Sequence, residues 1–218
     1  MSIDPYRLVV FFHVLMFCYW LGADLGVWLC GRAARRPGIS DEARALVRKV
    51  GHLIDMGPRS ALVLIFPAGL ILASQYGSPV QGVGLVAAVL ACVVWLWMVW
   101  TIYLQPQTPL GRTIWKIDLG FRAALMVTLI GFGVSCLVTG GPIQDRWLSA
   151  KIVVFGLILL TGIFLRIALF RMDAAARAGK APPPGSPPTL LQKSLLSSVL
   201  VIWALVAIAA FLGVVRPF

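Results

Sequence analysis

Six apolar segments constrain the fold of this chain more than any other feature. They cover residues 8–31, 57–75, 83–104, 119–139, 147–171 and 194–215. About 20 apolar residues in an α-helix cross ~30 Å of hydrocarbon, and a helix satisfies its own backbone hydrogen bonds there. With 60% hydrophobic and 12% charged residues, the chain is too apolar for a soluble domain. We therefore predict an all-α integral membrane protein, in which residues 1–218 form a single six-transmembrane-helix bundle.

The basic residues predict how this bundle is oriented. Of the 19 Lys and Arg residues, four lie on one side of the predicted bundle and the other 15 lie on the opposite side. The four are Arg7, Arg146, Lys151 and Arg216. The positive-inside rule then places the three loops on the basic side in the cytoplasm and both termini outside, in the periplasm. The net charge of +11 is thus a topology signal, and we predict the lipid bilayer as the partner and no nucleic acid. The sequence leaves open whether the chain also associates with other membrane subunits or with copies of itself.

Two connections between the spans have distinct compositions. Residues 32–51 predict a helix that begins after an N-cap at Ser40 and runs into the second span. Residues 174–190 contain "APPPGSPP", which is typical of a stiff, extended linker. The first apolar segment lacks a convincing cleavage site, so it is interpreted as a retained span. All four cysteines lie inside spans without metal-finger spacing, which favours packing roles.

A short charged motif occurs twice. The pattern I-D-x-G-x-R-x-A-L covers residues 54–62 and again residues 117–125. Each copy begins a span that runs in the same direction across the predicted membrane. The pattern therefore predicts a parallel internal repeat that relates helices 1–2 to helices 3–4 about an axis along the membrane normal.

Each copy of the motif carries a candidate charge pair. The pairs are Asp55 with Arg59 and Asp118 with Arg122, and a spacing of four residues places both members on one helix face. In one interpretation each pair neutralises itself at the membrane edge while the arginine reaches lipid phosphate. In the other, Asp24 of the first span pairs with Arg59 inside the bundle.

The surroundings of Asp24 favour a position facing protein. Gly22 and Gly26 flank it with the small-xxx-small spacing that lets helix backbones approach, and an ionised aspartate facing lipid is costly. Arg59, Arg122 and Arg166 would then form a basic cluster that could hold a carboxylate-bearing ligand or a lipid headgroup.

His13 and Lys151 lie at similar predicted depths in the other half of the bundle. A histidine inside a span is a candidate metal ligand or proton relay, and a hydrogen-bonded structural histidine is the alternative. Lys151 could simply extend toward the membrane surface. The other histidine, His52, belongs to the opposite edge, which disfavours a haem held by two histidines. Met16 lies one turn from His13, so a soft copper site is conceivable.

Two segments resemble a known group of bacterial membrane proteins. "HVLMFCYWLGADLG" carries His13 with Trp20 and Gly22, and "WLSAKIVVFGLILL" carries a W-L-x-A-K motif that ends at Lys151. Together they resemble inner-membrane proteins of the copper-resistance D (CopD) type and membrane protoporphyrinogen oxidases of the HemJ type. The resemblance implies that His13 is a haem-ligating histidine and that Lys151 is functionally important, as a catalytic residue.

Three functions follow as hypotheses. The first is a haem b-binding redox or electron-transfer protein, in which His13 ligates the metal and the propionates reach toward Arg59 and Arg122. The second is a copper uptake protein that uses His13, Met16 and Cys18, with Met126 as the candidate from another helix. The third is an accessory structural subunit of a larger membrane complex, whose buried charges set helix register.

Overall fold

Seven α-helices build the protein in its described part. The structure, a computed structural model, describes residues 4–180 and 189–218, so the proline-rich stretch "APPPGSPP" lies outside the described residues. The helices are α1 (Pro5–Ala33), α2 (Asp41–Ile54), α3 (Met56–Ala73), α4 (Gly82–Leu104), α5 (Pro109–Thr139), α6 (Arg146–Arg177) and α7 (Leu190–Val215). Six units are long and apolar enough to cross a membrane, with α2, α3 and a following 3-10 turn counted as one. The prediction of a multi-pass, all-helical membrane protein is confirmed.

The second crossing is nearly continuous but carries a local junction. The Ser40 hydroxyl accepts a hydrogen bond from the Ala43 N–H at 3.2 Å, which confirms the predicted N-cap of α2. Asp55 separates α2 from α3 with helical backbone angles. Pro58 has no N–H with which to bond the carbonyl of Ile54, so the hydrogen-bond ladder has a gap at this point. The first motif copy therefore spans a gap in the hydrogen-bond ladder.

Helix α5 begins ten residues before the predicted span at 119–139. Thr108 caps it by accepting the Gly111 N–H at 3.0 Å, and Pro109 occupies the first turn, where a missing N–H costs nothing. Arg112 and Lys116 lower the hydropathy of its first turns, so hydropathy alone predicts a later start than the helix has. The consequence is that the second motif copy lies inside a continuous helix.

Close packing between helices depends on small residues. A Cβ atom on Gly133 of α5 would lie 2.9 Å from the Ser149 carbonyl oxygen of α6, and one on Gly156 of α6 would lie 2.5 Å from the Ile130 side chain. Lipid is as apolar as a leucine side chain, so van der Waals contact of this kind, and not apolar burial, holds membrane helices together. The central core cluster also includes the fully buried Trp95 of α4.

The helices alternate in direction and form a ring with one loosely closed seam. Its order is α1, α3, α4, α5, α6 and α7, and the last of these touches α1 only sparsely. We call the end that carries the α1–α2, α4–α5 and α6–α7 connections the basic end. The rings of His52 and Tyr103 pack against each other there, with centroids 5.0 Å apart and planes tilted by 36°. At the opposite end, the Arg216 guanidinium lies 4.9 Å from the centroid of the Trp147 ring. Which end faces the cytoplasm stays a prediction from charge.

Candidate functional site

The largest polar structure inside the bundle is built around Asp118. We call it the charged centre, and it comprises Asp118 and Arg122 of α5, Trp95 of α4 and Arg166 of α6. Asp118 is 0% exposed. It accepts hydrogen bonds from Trp95 Nε1 at 2.8 Å and from Arg122 Nε at 3.0 and 3.1 Å, and its Oδ2 forms an ion pair with Arg166 Nη2 at 2.9 Å. One carboxylate thus ties three helices together through bonds that are strengthened by charge.

The charged centre holds more positive than negative charge. Two guanidinium groups face one carboxylate, and the Arg122 side chain is only 4% exposed. The Arg122 guanidinium also lies 5.0 Å from the Trp95 ring centroid, a cation–π arrangement that offsets part of its desolvation. Within the described residues, Arg122 Nη2 and Arg166 Nε are buried without a hydrogen-bond partner. The centre therefore keeps two N–H groups with which it could bind an anionic oxygen.

The first motif copy forms a simpler pair. Arg59 Nη2 bonds Asp55 Oδ2 across one turn, and the two side chains are 27% and 24% exposed. No other helix contributes an ion-pair partner to either residue within the described ranges. Both copies thus contain the intrahelical pair that their spacing predicts, but only the second copy recruits partners from neighbouring helices.

The predicted ion pair between Asp24 and Arg59 is absent from the described residues. Arg59 is instead paired with Asp55, which lies one helical turn before it on the same crossing. Asp24 instead lies near the indole groups of Trp20 and Trp203, and Asp55 and Arg59 are the charged groups within electrostatic range. Asp24 is therefore a half-buried carboxyl group without a cation bonded to it.

The predicted close approach at the glycines of α1 occurs at one of them only. A Cβ atom on Gly26 would lie 3.3 Å from the Ile54 side chain at the end of α2. One on Gly22 would meet nothing within 4 Å. The glycine spacing therefore brings α2 close to α1 at Gly26, whereas Gly22 faces open space instead of a packed neighbour.

His13 lies in the half of the bundle away from the basic end. Its ring packs against α3 beside Gly69, where an added Cβ would lie 3.4 Å from the ring carbon Cε1. Nδ1 of His13 is buried and has no hydrogen-bond partner among the described residues. The charge of Lys151 is within electrostatic range of the ring. His13 and Lys151, which the sequence predicts at similar depths in the membrane, therefore lie in one region of the bundle.

Lys151 of α6 points toward α7. A Cβ atom on Gly213 would lie only 2.6 Å from Lys151 Nζ, so glycine at this position leaves room for the amine. In the part of the chain that the structure describes, Lys151 forms no ion pair. Sequence reasoning missed Gly69 and Gly213, because a glycine in an apolar helix has no signal that identifies the side chain it faces.

Among the proposed copper ligands, Cys18 lies apart from His13 and Met16. His13 and Met16 are half-buried on one face of α1, whereas Cys18 is exposed on another. Met126 packs against the central core on α5. No group of three His, Cys, Asp or Glu side chains that could hold a metal ion occurs in residues 4–180 and 189–218.

Two shallow apolar grooves mark the surface of the bundle. One, of about 250 Å³, lies between α1 and α7 and is lined by Leu21, Leu25 and Trp203. The other, of about 280 Å³, lies between α3 and α4. Neither groove is lined by His13 or Lys151.

No protein-family model, no curated protein and no solved structure matches this chain. The functional conclusions therefore depend on the geometry described above and on the short motifs around His13 and Lys151.

Proposed function

We propose that this protein is a bacterial inner-membrane protein that binds haem b and serves redox chemistry or electron transfer, with His13 as the residue that would hold the haem iron. The observation that carries the proposal is the buried Nδ1 atom of His13, which has no partner among the described residues. A structural histidine in an apolar interior normally has both ring nitrogens bonded, because an unpaired buried polar atom is costly. A nitrogen without a partner is available to a metal.

The donor chemistry around His13 fits a haem better than it fits copper. A haem supplies four of its own nitrogen ligands and needs one protein nitrogen, whereas a copper site needs several soft protein ligands. When bound, the haem would supply one-electron chemistry at a potential set by its ligand and surroundings. The residues of this chain would hold it: His13 at the metal, with Lys151 as the nearby positive charge, in the roles that the CopD and HemJ resemblance implies.

The arginines are suited to a ligand with carboxylates. Arg59 precedes Gly69 by ten residues on the crossing that packs against His13, which is about 15 Å along a helix. Arg122 of the charged centre lies within electrostatic range of Arg59, and its Nη2 group has no hydrogen-bond partner among the described residues. Since neither groove reaches His13, helices must separate to admit a porphyrin, and α1 is loosely tied to α7.

A reduced-minus-oxidised absorption spectrum of the detergent-purified protein tests this function. Pyridine haemochrome and metal analysis would be run on the same sample. We expect a b-type signal near one haem per chain, lost in His13→Ala and retained in His52→Ala, the matched control at the other histidine. A signal that persists in His13→Ala would contradict the proposed ligand. A colourless, metal-free protein that copurifies with other subunits would instead favour the accessory-subunit hypothesis.

A further inference from the structure

Asp24 differs from the other carboxyl groups inside the crossings. It is nine residues from the end of α1, or about 14 Å along the helix. Asp118 is bonded to two arginines and Asp55 to one, but Asp24 forms no ion pair with a described residue. An ionised carboxylate at such depth is costly unless a cation or hydrogen-bond donors compensate it. The proton is the remaining cation that can neutralise it.

The polar neighbours of Asp24 suit a carboxyl group that changes its protonation state. Indole N–H groups of Trp20 on α1 and Trp203 on α7 lie close to it. Trp203 Nε1 is buried and has no hydrogen-bond partner within the described ranges. From the α2–α3 crossing, Asp55 and Arg59 act on Asp24 with opposite charges, and α7 presents the Trp203 indole. The surroundings therefore hold donors for the ionised form but no cation that would fix it in that form.

The groove between α1 and α7 lies next to this carboxyl group, because Trp203 lines the groove and is a neighbour of Asp24. Leu21 and Leu25, on the same helix as Asp24, line the other wall. The seam between α1 and α7 is the loosest in the ring. An apolar reagent dissolved in the bilayer can therefore approach Asp24, but it cannot approach the fully buried Asp118.

We propose that Asp24 is a proton-binding site of the bundle, reached from the α1–α7 groove, and that its protonation changes the net charge of the cluster of arginines and aspartates inside the crossings. This cluster contains three arginines and three aspartates: Arg59, Arg122, Arg166, Asp24, Asp55 and Asp118. It is neutral when all three aspartates are ionised, and it carries one positive charge when Asp24 binds a proton. The step is the addition of one proton to one carboxylate oxygen, with no change in oxidation state.

Arg59 lies within electrostatic range of both Asp24 and Arg122, so protonation of Asp24 makes this cluster more positive and would favour an anion at the charged centre. The unpartnered Arg122 Nη2 and Arg166 Nε groups are the donors for such an anion. Because the coupling between two bound species is reciprocal, an anion bound there would in turn favour proton binding at Asp24. Proton binding at Asp24 itself does not require a haem at His13.

Labelling with dicyclohexylcarbodiimide, an apolar carbodiimide, tests the proposal. This reagent converts protonated carboxyl groups in apolar surroundings to stable N-acylureas, which mass spectrometry of peptides locates. The full chain in phospholipid vesicles would be labelled over a series of pH values. We expect an adduct on Asp24 whose yield falls about tenfold per pH unit above its midpoint, as titration of a single site requires. Asp118 should carry no adduct.

Two variants sharpen the result. Asp55→Asn releases Arg59 from its own-helix partner, so Arg59 can pair with Asp24 and the adduct yield at a given pH should fall. Arg59→Gln removes that cation, and the yield should rise or stay equal. No adduct on Asp24 at any pH, or a yield that does not depend on pH, would overturn the proposal. The wild-type measurement needs no substitution, so a variant that fails to fold leaves the test intact.

Discussion

The two copies of the motif I-D-x-G-x-R-x-A-L have the same local geometry and different surroundings. In both, an arginine bonds an aspartate one turn earlier. The copy at residues 54–62 lies at the α2–α3 junction with its charged side chains about one quarter exposed, whereas Asp118 in the copy at residues 117–125 is completely buried. Spacing along a helix therefore sets the pair, and burial sets how many further partners the pair requires.

Burial explains why only the second copy recruits other helices. A partly exposed pair is solvated by water or lipid headgroups, so its own two charges are nearly sufficient. A buried pair loses that solvation, and additional hydrogen bonds must satisfy its remaining oxygen and N–H groups. Trp95 and Arg166 meet this need at Asp118, 23 and 48 residues away in sequence. The second copy thus became a junction of three helices.

The largest effect is expected from removing the carboxylate at the centre of that junction. Asp118→Asn leaves two buried guanidinium groups without a counter-charge, and we expect the free energy of unfolding to fall by about 3–5 kcal/mol. The matched Asp55→Asn change at the first copy should cost about 1 kcal/mol or less. Denaturant unfolding in detergent micelles compares them. Equal losses in the two variants would show that burial does not separate the copies.

An intermediate effect is expected from the indole that serves only the second copy. Trp95→Phe keeps an aromatic ring beneath Arg122 but removes the N–H that bonds Asp118, so we expect a loss of about 1.5–3 kcal/mol in unfolding free energy. Trp97→Phe is the control, since Trp97 is 56% exposed, and its change should be near zero. A Trp95→Phe variant as stable as this control would mean that Asp118 does not depend on the third helix.

The smallest effect concerns salt. A double-mutant cycle on Asp55 and Arg59 should give a coupling energy of about 0.2–1 kcal/mol, and added salt should weaken it because the pair is partly exposed. The same cycle on Asp118 and Arg122 should give a larger coupling that changes little with salt. Unfolding of the single and double variants at low and high ionic strength measures both. Equal salt dependence would contradict the difference in solvation.

Features that depend on residues close together in the chain could be predicted from the sequence, whereas contacts between helices could not. The six apolar crossings and the Ser40 cap depend on residues close together in the chain, and both are confirmed. The alternative interpretation, in which Asp24 pairs with Arg59, required knowledge of the relative rotation and depth of two helices. It was wrong because Arg59 forms its ion pair with Asp55, one turn away. The functional role of Trp95 was hidden for the same reason, since three tryptophans of α4 have similar sequence surroundings and only one is fully buried.

By itself the sequence determined which segments are helical and apolar enough to cross a membrane, and which charged residues lie one turn apart, because helix pitch and hydropathy are properties of neighbouring residues. Tertiary structure alone decided that Trp95 and Arg166 meet at Asp118, that Lys151 lies near His13, and that Asp24 lies near Trp203 of α7 without an ion pair to a described residue. Those contacts depend on how each helix is rotated and how deeply it sits against its neighbours. Packing of small residues and burial of polar groups sets both, and neither is encoded in the spacing within one helix.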